Sequence, residues 1–95
     1  MTQKMVTRTI NNNSQMTDPA ELTGYFNLSI QGDPGWSATI TVQRSFDKGS
    51  TYYDVNSWTE NTQEYGLEPE RGVYYRVGTK AGDYHSGIIT VRLSQ

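Results

Sequence analysis

Apolar and polar residues alternate along most of this chain, and the alternation is clearest across residues 36–55. Ala38, Ile40 and Val42 fall on one side of an extended segment, and the intervening Ser, Thr and Gln residues fall on the other. A period of two is typical of a β-strand with one buried and one solvated face. The next segment, SFDKGST at residues 45–51, contains turn-forming Asp and Gly. The pattern therefore predicts a β-hairpin, with one strand on each side of this turn.

The same alternation recurs elsewhere, with turn signals every ~8–12 residues, which is typical of a small sandwich or barrel. We therefore predict an all-β fold: a single small antiparallel β-sandwich, Ig-like or Greek-key, or a small barrel, with six to seven strands. A turn is predicted at the Glu-Pro-Glu-Arg segment, residues 68–71. The predicted strands are residues 25–31, 36–46, 51–59, 62–67, 72–78 and 87–94. The predicted core is Phe26, Leu28, Ile30, Ala38, Ile40, Val42, Tyr53, Val55, Val73, Tyr75, Val77, Ile89, Val91 and Leu93.

The first 23 residues differ from the rest, because they are polar and contain only scattered apolar side chains. We predict that residues 1–23 form an N-terminal arm or tail and that residues 24–95 form the β-sandwich domain. One interpretation is a loosely attached tail. The other is an arm with a short strand that adds to a sheet edge of its own or of a neighbouring subunit. Alternation of Val6, Arg8 and Ile10 favours the arm.

Composition limits the chemistry. The chain has no cysteine, one histidine and a net charge of −2 with its basic residues dispersed, so we expect no cofactor, no metal and no nucleic acid partner. No apolar run approaches the ~20 residues of a membrane span, so no membrane partner is expected. Asp83, His85 and Ser86 are too close in sequence to adopt a catalytic triad geometry. We therefore expect a protein that is not an enzyme.

The segment SFDKGSTY, residues 45–52, resembles the Asp-box, Ser-x-Asp-x-Gly-x-Thr-Trp, of sialidases and other β-proteins. In that family the box is a hairpin turn that lies away from the active site. The resemblance implies a structural turn made by Ser45, Asp47, Gly49 and Thr51. The terminal aromatic of the box usually packs inward, whereas alternation from Val55 directs Tyr53 inward and Tyr52 outward.

Several aromatic residues fall on the predicted outer face. Tyrosine and tryptophan supply a large contact area at a low cost in rotamer entropy, so these side chains could contact a protein or stack on sugar rings. The alternative is that they fold over loop edges or lie beneath the N-terminal arm. The candidate partner contacts are Val6, Arg8, Ile10, Tyr25, Tyr52, Trp58 and Tyr74.

From residue 24 onward the chain resembles small structural proteins of tailed bacteriophages and prophages. The resemblance is carried by GYFNLSI (24–30), TITVQRSFD (39–47), GVYYR (72–76) and SG (86–87). It implies a virion protein without catalysis, and specifically a capsid decoration (cement) protein that bridges major capsid subunits. Such a protein would be a homo-oligomer, with threefold clustering favoured, on the capsid surface of a virion assembled in the bacterial cytoplasm. The alternatives are a tail, baseplate or head–tail joining component, and a carbohydrate-binding module.

Overall fold

The computed structural model describes residues 4–95, and all regular secondary structure in that range is β. The prediction of an all-β fold is therefore confirmed. Residues 1–3 of the predicted arm lie outside the described residues. The strands are β1 (Met5–Ile10), β2 (Ala20–Gly32), β3 (Ser37–Ala38), β4 (Ile40–Ser45), β5 (Tyr53–Trp58), β6 (Thr62–Gly78), β7 (Tyr84–Ser86) and β8 (Ile89–Ser94).

Six strands form one antiparallel sheet in the order β1-β8-β2-β6-β4-β5, and β3 pairs with β7 in a separate ribbon. The sheet curls into a small sandwich because its two longest strands, β2 and β6, are irregular at the same level. Their pairing passes from Leu22↔Val73 to Gly24↔Glu68, so four residues of β6 lie opposite one residue of β2. Gly24 borders this bulge on β2 and Gly72 is its last residue on β6, with φ values of 77° and 78°, a left-handed conformation that glycine adopts without a side-chain penalty.

The prediction of a turn at residues 68–71 is wrong, because these residues lie within β6, a continuous strand of 17 residues. Pro69 and the following Gly72 lie in the bulge, where a missing N–H and a positive φ are tolerated. The Thr23 hydroxyl donates a hydrogen bond of 2.8 Å to the Glu70 carbonyl across the bulge. Turn-forming residues here bend a continuous strand and do not reverse the chain.

The predicted arm is part of the sheet. β1 pairs with β8 along its whole length, from Met5↔Ser94 to Ile10↔Ile89, and the predicted boundary after residue 23 falls inside β2. Val6 and Ile10 are buried, which corrects their assignment as partner contacts, since they pack in the chain's own core. Arg8 is exposed and donates a 2.7 Å hydrogen bond to the Met16 carbonyl.

The core includes four residues that the sequence analysis placed in the arm, because β1 and the start of β2 join the sheet. Phe26 and Tyr75 approach each other across it, with ring centroids 4.8 Å apart. No buried side-chain nitrogen or oxygen lacks a hydrogen-bond partner among the described residues. The core residues are Val6, Ile10, Ala20, Leu22, Phe26, Leu28, Ile30, Ala38, Ile40, Val42, Val73, Tyr75, Val77, Ile89, Val91 and Leu93.

Tyr53 and Val55 were predicted to be in the core, and both are exposed. The pairing of β4 with β5 passes from Val42↔Asn56 to Gln43↔Asp54, so Val55 is an extra residue in β5. An extra residue shifts the alternation by one and exchanges the two faces of the strand. Trp58 was predicted to point away from the core. It lies opposite the buried Ile40 and packs partly against the core.

Candidate functional site

The turn between β4 and β5 is organised by two side chains. The Ser45 hydroxyl donates to Asp47 Oδ1 at 2.7 Å and accepts from the Gly49 N–H at 2.8 Å. Asp47 Oδ1 also accepts from the Thr51 N–H at 2.8 Å. The Ser45 hydroxyl first, and then the Thr51 N–H, lower the pKa of Asp47 from its ordinary value. All three hydrogen bonds stay within the hairpin, so these residues form a structural turn.

The guanidinium of Arg76 stacks on the ring of Tyr52, with Arg76 Cζ 3.7 Å from the ring centroid. Arg76 Nε donates to Gln43 Oε1 at 2.8 Å, and Gln43 Nε2 donates to Asp54 Oδ1 at 2.8 Å. Tyr52 is therefore held by an intramolecular cation–π contact, as in the interpretation that some outward aromatics fold back on the domain. Tyr74, on the same outer face of β6, is half-buried.

A buried carboxylate lies at the bend of the sheet. Glu68 is 1% exposed, and its Oε1 accepts a hydrogen bond of 2.7 Å from the Tyr75 hydroxyl. Arg44 Nη1 lies 3.3 Å from the same oxygen, and the Glu70 N–H donates to Oε2 at 3.1 Å. These three donors replace the water that burial removes, which is the condition for a buried charge to be tolerated.

Tyr75 gives this cluster a measurable alkaline signature. Burial, and then its hydrogen bond to the Glu68 carboxylate, raise the pKa of Tyr75 from 10.0 to about 12. A phenol whose pKa is raised by folding contributes stability that is present below pH 10 and lost as the pH rises through about 12. We expect the free energy of unfolding to fall by about 3 kcal/mol over that interval. Denaturant titrations at several pH values would measure it.

Tyr75→Phe is the matched variant for that measurement, because it removes only the titrating hydroxyl. The other tyrosines remain, so the difference in slope between the two proteins isolates Tyr75. Equal slopes for the wild type and Tyr75→Phe between pH 10 and 12 would contradict the assignment.

An apolar cleft opens on one side of the sandwich, between β5 and the first half of β6. Its volume is about 290 Å³. Trp58 and Val55 line it from β5, and Phe26 and Val42 from the core. Arg44 also lines the cleft and remains 39% exposed, so the buried ionic cluster lies beside it. Elsewhere in the domain, the Met16 segment bridges to Gly78 at the end of β6.

The two strands that flank this cleft both have a free edge among residues 4–95. Residues 62–68 pair only with β2, because β4 contacts β6 from Tyr74 onward. β5 pairs only with β4, but its edge is interrupted by the bulge at Val55, and its Ser57 N–H is bonded to the Asn56 side chain at 2.8 Å. Bulges and local side-chain bonds block strand addition. The edge at residues 62–68 has neither feature.

Exposed apolar side chains cluster beside the cleft. Tyr65, Tyr25 and Leu67 are 72%, 68% and 56% exposed, and the rings of Tyr25 and Tyr65 lie 6.0 Å apart. Tyr25 is thus the one predicted aromatic contact that is largely exposed. Tyr65 was missed, although its alternation with Gln63 and Leu67 was a usable signal. Glu68 was also missed, because nothing in a run of glutamates marks which one is buried.

Other expectations of the sequence analysis concern metals and catalysis. His85 is exposed on β7, and no group of three or more His, Cys, Asp or Glu residues within the described range is arranged to hold a metal ion. That part of the chain also contains no helix long and apolar enough to cross a membrane. Comparison with protein-family models, with curated proteins and with solved structures found no match to this chain.

Proposed function

We propose that the protein is a structural component of a bacteriophage virion, without catalytic activity, and most specifically a capsid decoration protein. The sequence resemblance over residues 24–95 motivates the virion assignment. The observation that carries a binding role is the apolar cleft beside a free sheet edge. Large contiguous apolar patches on soluble proteins often mark interaction sites, and here Val55, Trp58 and Phe26 line one cleft.

The proposed mode of binding is addition of an extended segment of the major capsid protein to the edge at residues 62–68. Strand addition supplies main-chain hydrogen bonds, and the neighbouring pocket accepts side chains of the added segment. Trp58 and Phe26 would contact those side chains in the cleft. A standard interface needs about 800 Å² per partner, a modest part of the 5471 Å² surface of this chain.

Bridging would stabilise the capsid by mass action. A subunit that contacts two neighbouring capsid proteins binds the assembled shell and not the separated subunits, so binding raises the free energy of disassembly. A homo-oligomer, with a trimer favoured, would contact several capsid subunits at once and gain avidity from a high effective concentration. The proposed location is the capsid surface of a virion assembled in the bacterial cytoplasm.

Charged substitutions at the cleft test the mode of binding. We expect the double variant Val55→Lys/Leu67→Lys to bind undecorated heads at least about tenfold more weakly than the wild type, because Val55 lines the cleft and Leu67 lies on the edge strand that would accept the added segment. Both side chains are exposed, so the fold should persist. Sedimentation of heads with increasing protein measures the affinity, and the disruption temperature of the heads measures the stabilisation.

The matched control is Ile88→Lys, which places a lysine at another exposed apolar residue, 45% exposed and outside the cleft. It should bind heads as the wild type does. Equal affinities for the wild type and the double variant would contradict the cleft as the contact. Absence of saturable binding by the wild type would contradict the decoration role, and a copy number matching the tail axis would assign the protein to the tail.

A further inference from the structure

The surface of β1, β8, β2 and β6 that faces away from the core forms regular rows of side chains. In one row Thr7 pairs with Arg92, Arg92 with Ser29, and Ser29 with Gln63. In the next row Ser94 pairs with Asn27, and Asn27 with Tyr65. We call this surface the outer face. Its central part borders a shallow cavity of about 500 Å³.

The chemistry of the outer face is unusual for this acidic chain. The chain has ten Asp and Glu residues, yet the side chains in these two rows carry hydroxyl, amide and phenol groups and one guanidinium. Glu64 borders the cavity, but alternation along β6 directs its side chain to the other face. The only formal charge in the two rows is therefore the positive charge of Arg92.

Two polar side chains of the outer face have unused hydrogen-bonding capacity. Within residues 4–95, Arg92 and Asn27 make no side-chain hydrogen bond and Arg92 makes no ion pair, whereas Gln63 Nε2 is fixed by donation to Ser29 Oγ at 2.9 Å. Arg92 offers five N–H donors in a planar fork that matches a carboxylate. Asn27 offers both a donor and an acceptor beside it.

Aromatic rings lie at one end of the same rows. Tyr65 and Tyr25 are 72% and 68% exposed, and their ring planes are inclined by 57°. An aromatic ring has a partially negative face, which attracts the polarised C–H groups on the flat side of a sugar ring. The equatorial hydroxyls of such a sugar would point sideways, where amide and hydroxyl side chains can bond them.

We propose that the outer face of β8, β2 and β6 binds a carboxylated oligosaccharide, with a sugar ring stacked on Tyr65 and a sugar carboxylate paired with Arg92. Strands β8 and β6 are two strand spacings apart, and Tyr65 lies two residues along β6 from Gln63, which is level with Arg92, so the backbones of Arg92 and Tyr65 are about 12 Å apart. That span exceeds one sugar ring, so the sugar chain would run obliquely across the strands, with the stacked ring and the carboxylated ring on either side of Asn27. Asn27, on the intervening strand, bonds the hydroxyls between them.

Two other ligand classes fit this surface less well. A duplex nucleic acid is held by many phosphate contacts from clustered basic side chains, and the outer face has one. A protein interface usually has an apolar centre with a polar rim, whereas here the centre is polar and the aromatic groups lie at one end. The outer face lies on the opposite face of residues 62–68 from the cleft, and the inference does not depend on capsid binding.

An array of oligosaccharides tests the proposal if each uronate or sialoside is printed beside its carboxyl methyl ester, which keeps the ring and removes the charge. We expect the wild-type protein to bind members of the carboxylated set and to bind their esters at least about tenfold more weakly. Arg92→Gln should abolish that preference, since it removes the charge that pairs with the carboxylate. Tyr65→Ala should weaken binding to both forms at least about tenfold.

Tyr53→Ala is the control variant. Like Tyr65, Tyr53 is a largely exposed tyrosine, at 58%, but it lies on β5, outside the cavity. It should bind as the wild type does, and melting curves should show that all three variants are folded. No binding to any carboxylated oligosaccharide would overturn the proposal. Binding unaffected by Tyr65→Ala and Arg92→Gln, or capture of proteins alone, would also overturn it. Head binding by the same variants is measured separately, so failure here leaves the decoration proposal intact.

Discussion

Replacing Glu68 with alanine is expected to lower the free energy of unfolding by about 2–4 kcal/mol. The carboxylate is 1% exposed and accepts from the Tyr75 hydroxyl, Arg44 and the Glu70 N–H. Its removal leaves a buried hydroxyl and a backbone N–H without an acceptor, and each such group costs ~1–3 kcal/mol. Loss of one member of a buried ion pair costs ~3–5 kcal/mol, but Arg44 is 39% exposed and can turn to water.

The natural control is Glu64→Ala, since Glu64 lies on the same strand and the same face but is exposed. Its removal should change stability by no more than about 0.5 kcal/mol. Glu68→Gln should fall between the two, because an amide keeps the shape and one acceptor oxygen but loses the charge. Urea denaturation at pH 7 measures all three. Similar losses for Glu64→Ala and Glu68→Ala would show that the Glu68 cluster contributes nothing specific.

Gly78→Ala is expected to destabilise the domain by about 3 kcal/mol, at the upper end of the usual cost of overpacking. A Cβ at position 78 would lie 1.9 Å from the Gln15 carbonyl oxygen and 2.9 Å from Met16 Cα. These are backbone atoms and cannot rotate away. The segment of residues 15–17 is also hydrogen-bonded to the end of β6 and the residue after it. The Thr79 N–H donates to the Gln15 carbonyl at 2.8 Å, and the Thr17 N–H donates to the Val77 carbonyl at 2.9 Å. Relief of the clash therefore separates the segments.

Gly66→Ala is the control variant, because its added Cβ would contact a side chain and not the backbone. Its Cβ would lie 2.7 Å from Phe26 Cζ, the far end of a side chain that borders the open cleft and can shift into it. We expect a loss of about 1 kcal/mol there. Hydrogen exchange should show faster exchange at Thr17 and Thr79 in Gly78→Ala and not in Gly66→Ala. A Gly78→Ala protein as stable as the wild type would contradict the close packing of these segments.

The candidate surfaces differ in how visible they were from the sequence. The Ser45–Asp47 turn is local, since all its hydrogen bonds join residues within four positions, so a short motif was sufficient. The Glu68 cluster joins residues 24 positions apart, and the outer face combines four strands that are distant in the chain. Spacing within one segment carries no information on such groupings.

The alternating pattern and the turn motif were enough to specify strands, an all-β class and most of the core, because alternation records which side of each strand avoids water. The assembly of the sheet was needed for the rest. The extra residue at Val55 exchanges the faces of β5, and the extra residues 69–72 bend β6. The composition of residues 68–71 also favours a turn, so the sequence alone does not predict the bend. Pairing of β1 with β8 joins residues that are 79 to 89 positions apart, from Ile10↔Ile89 to Met5↔Ser94. These contacts stabilise the chain only when the whole core forms.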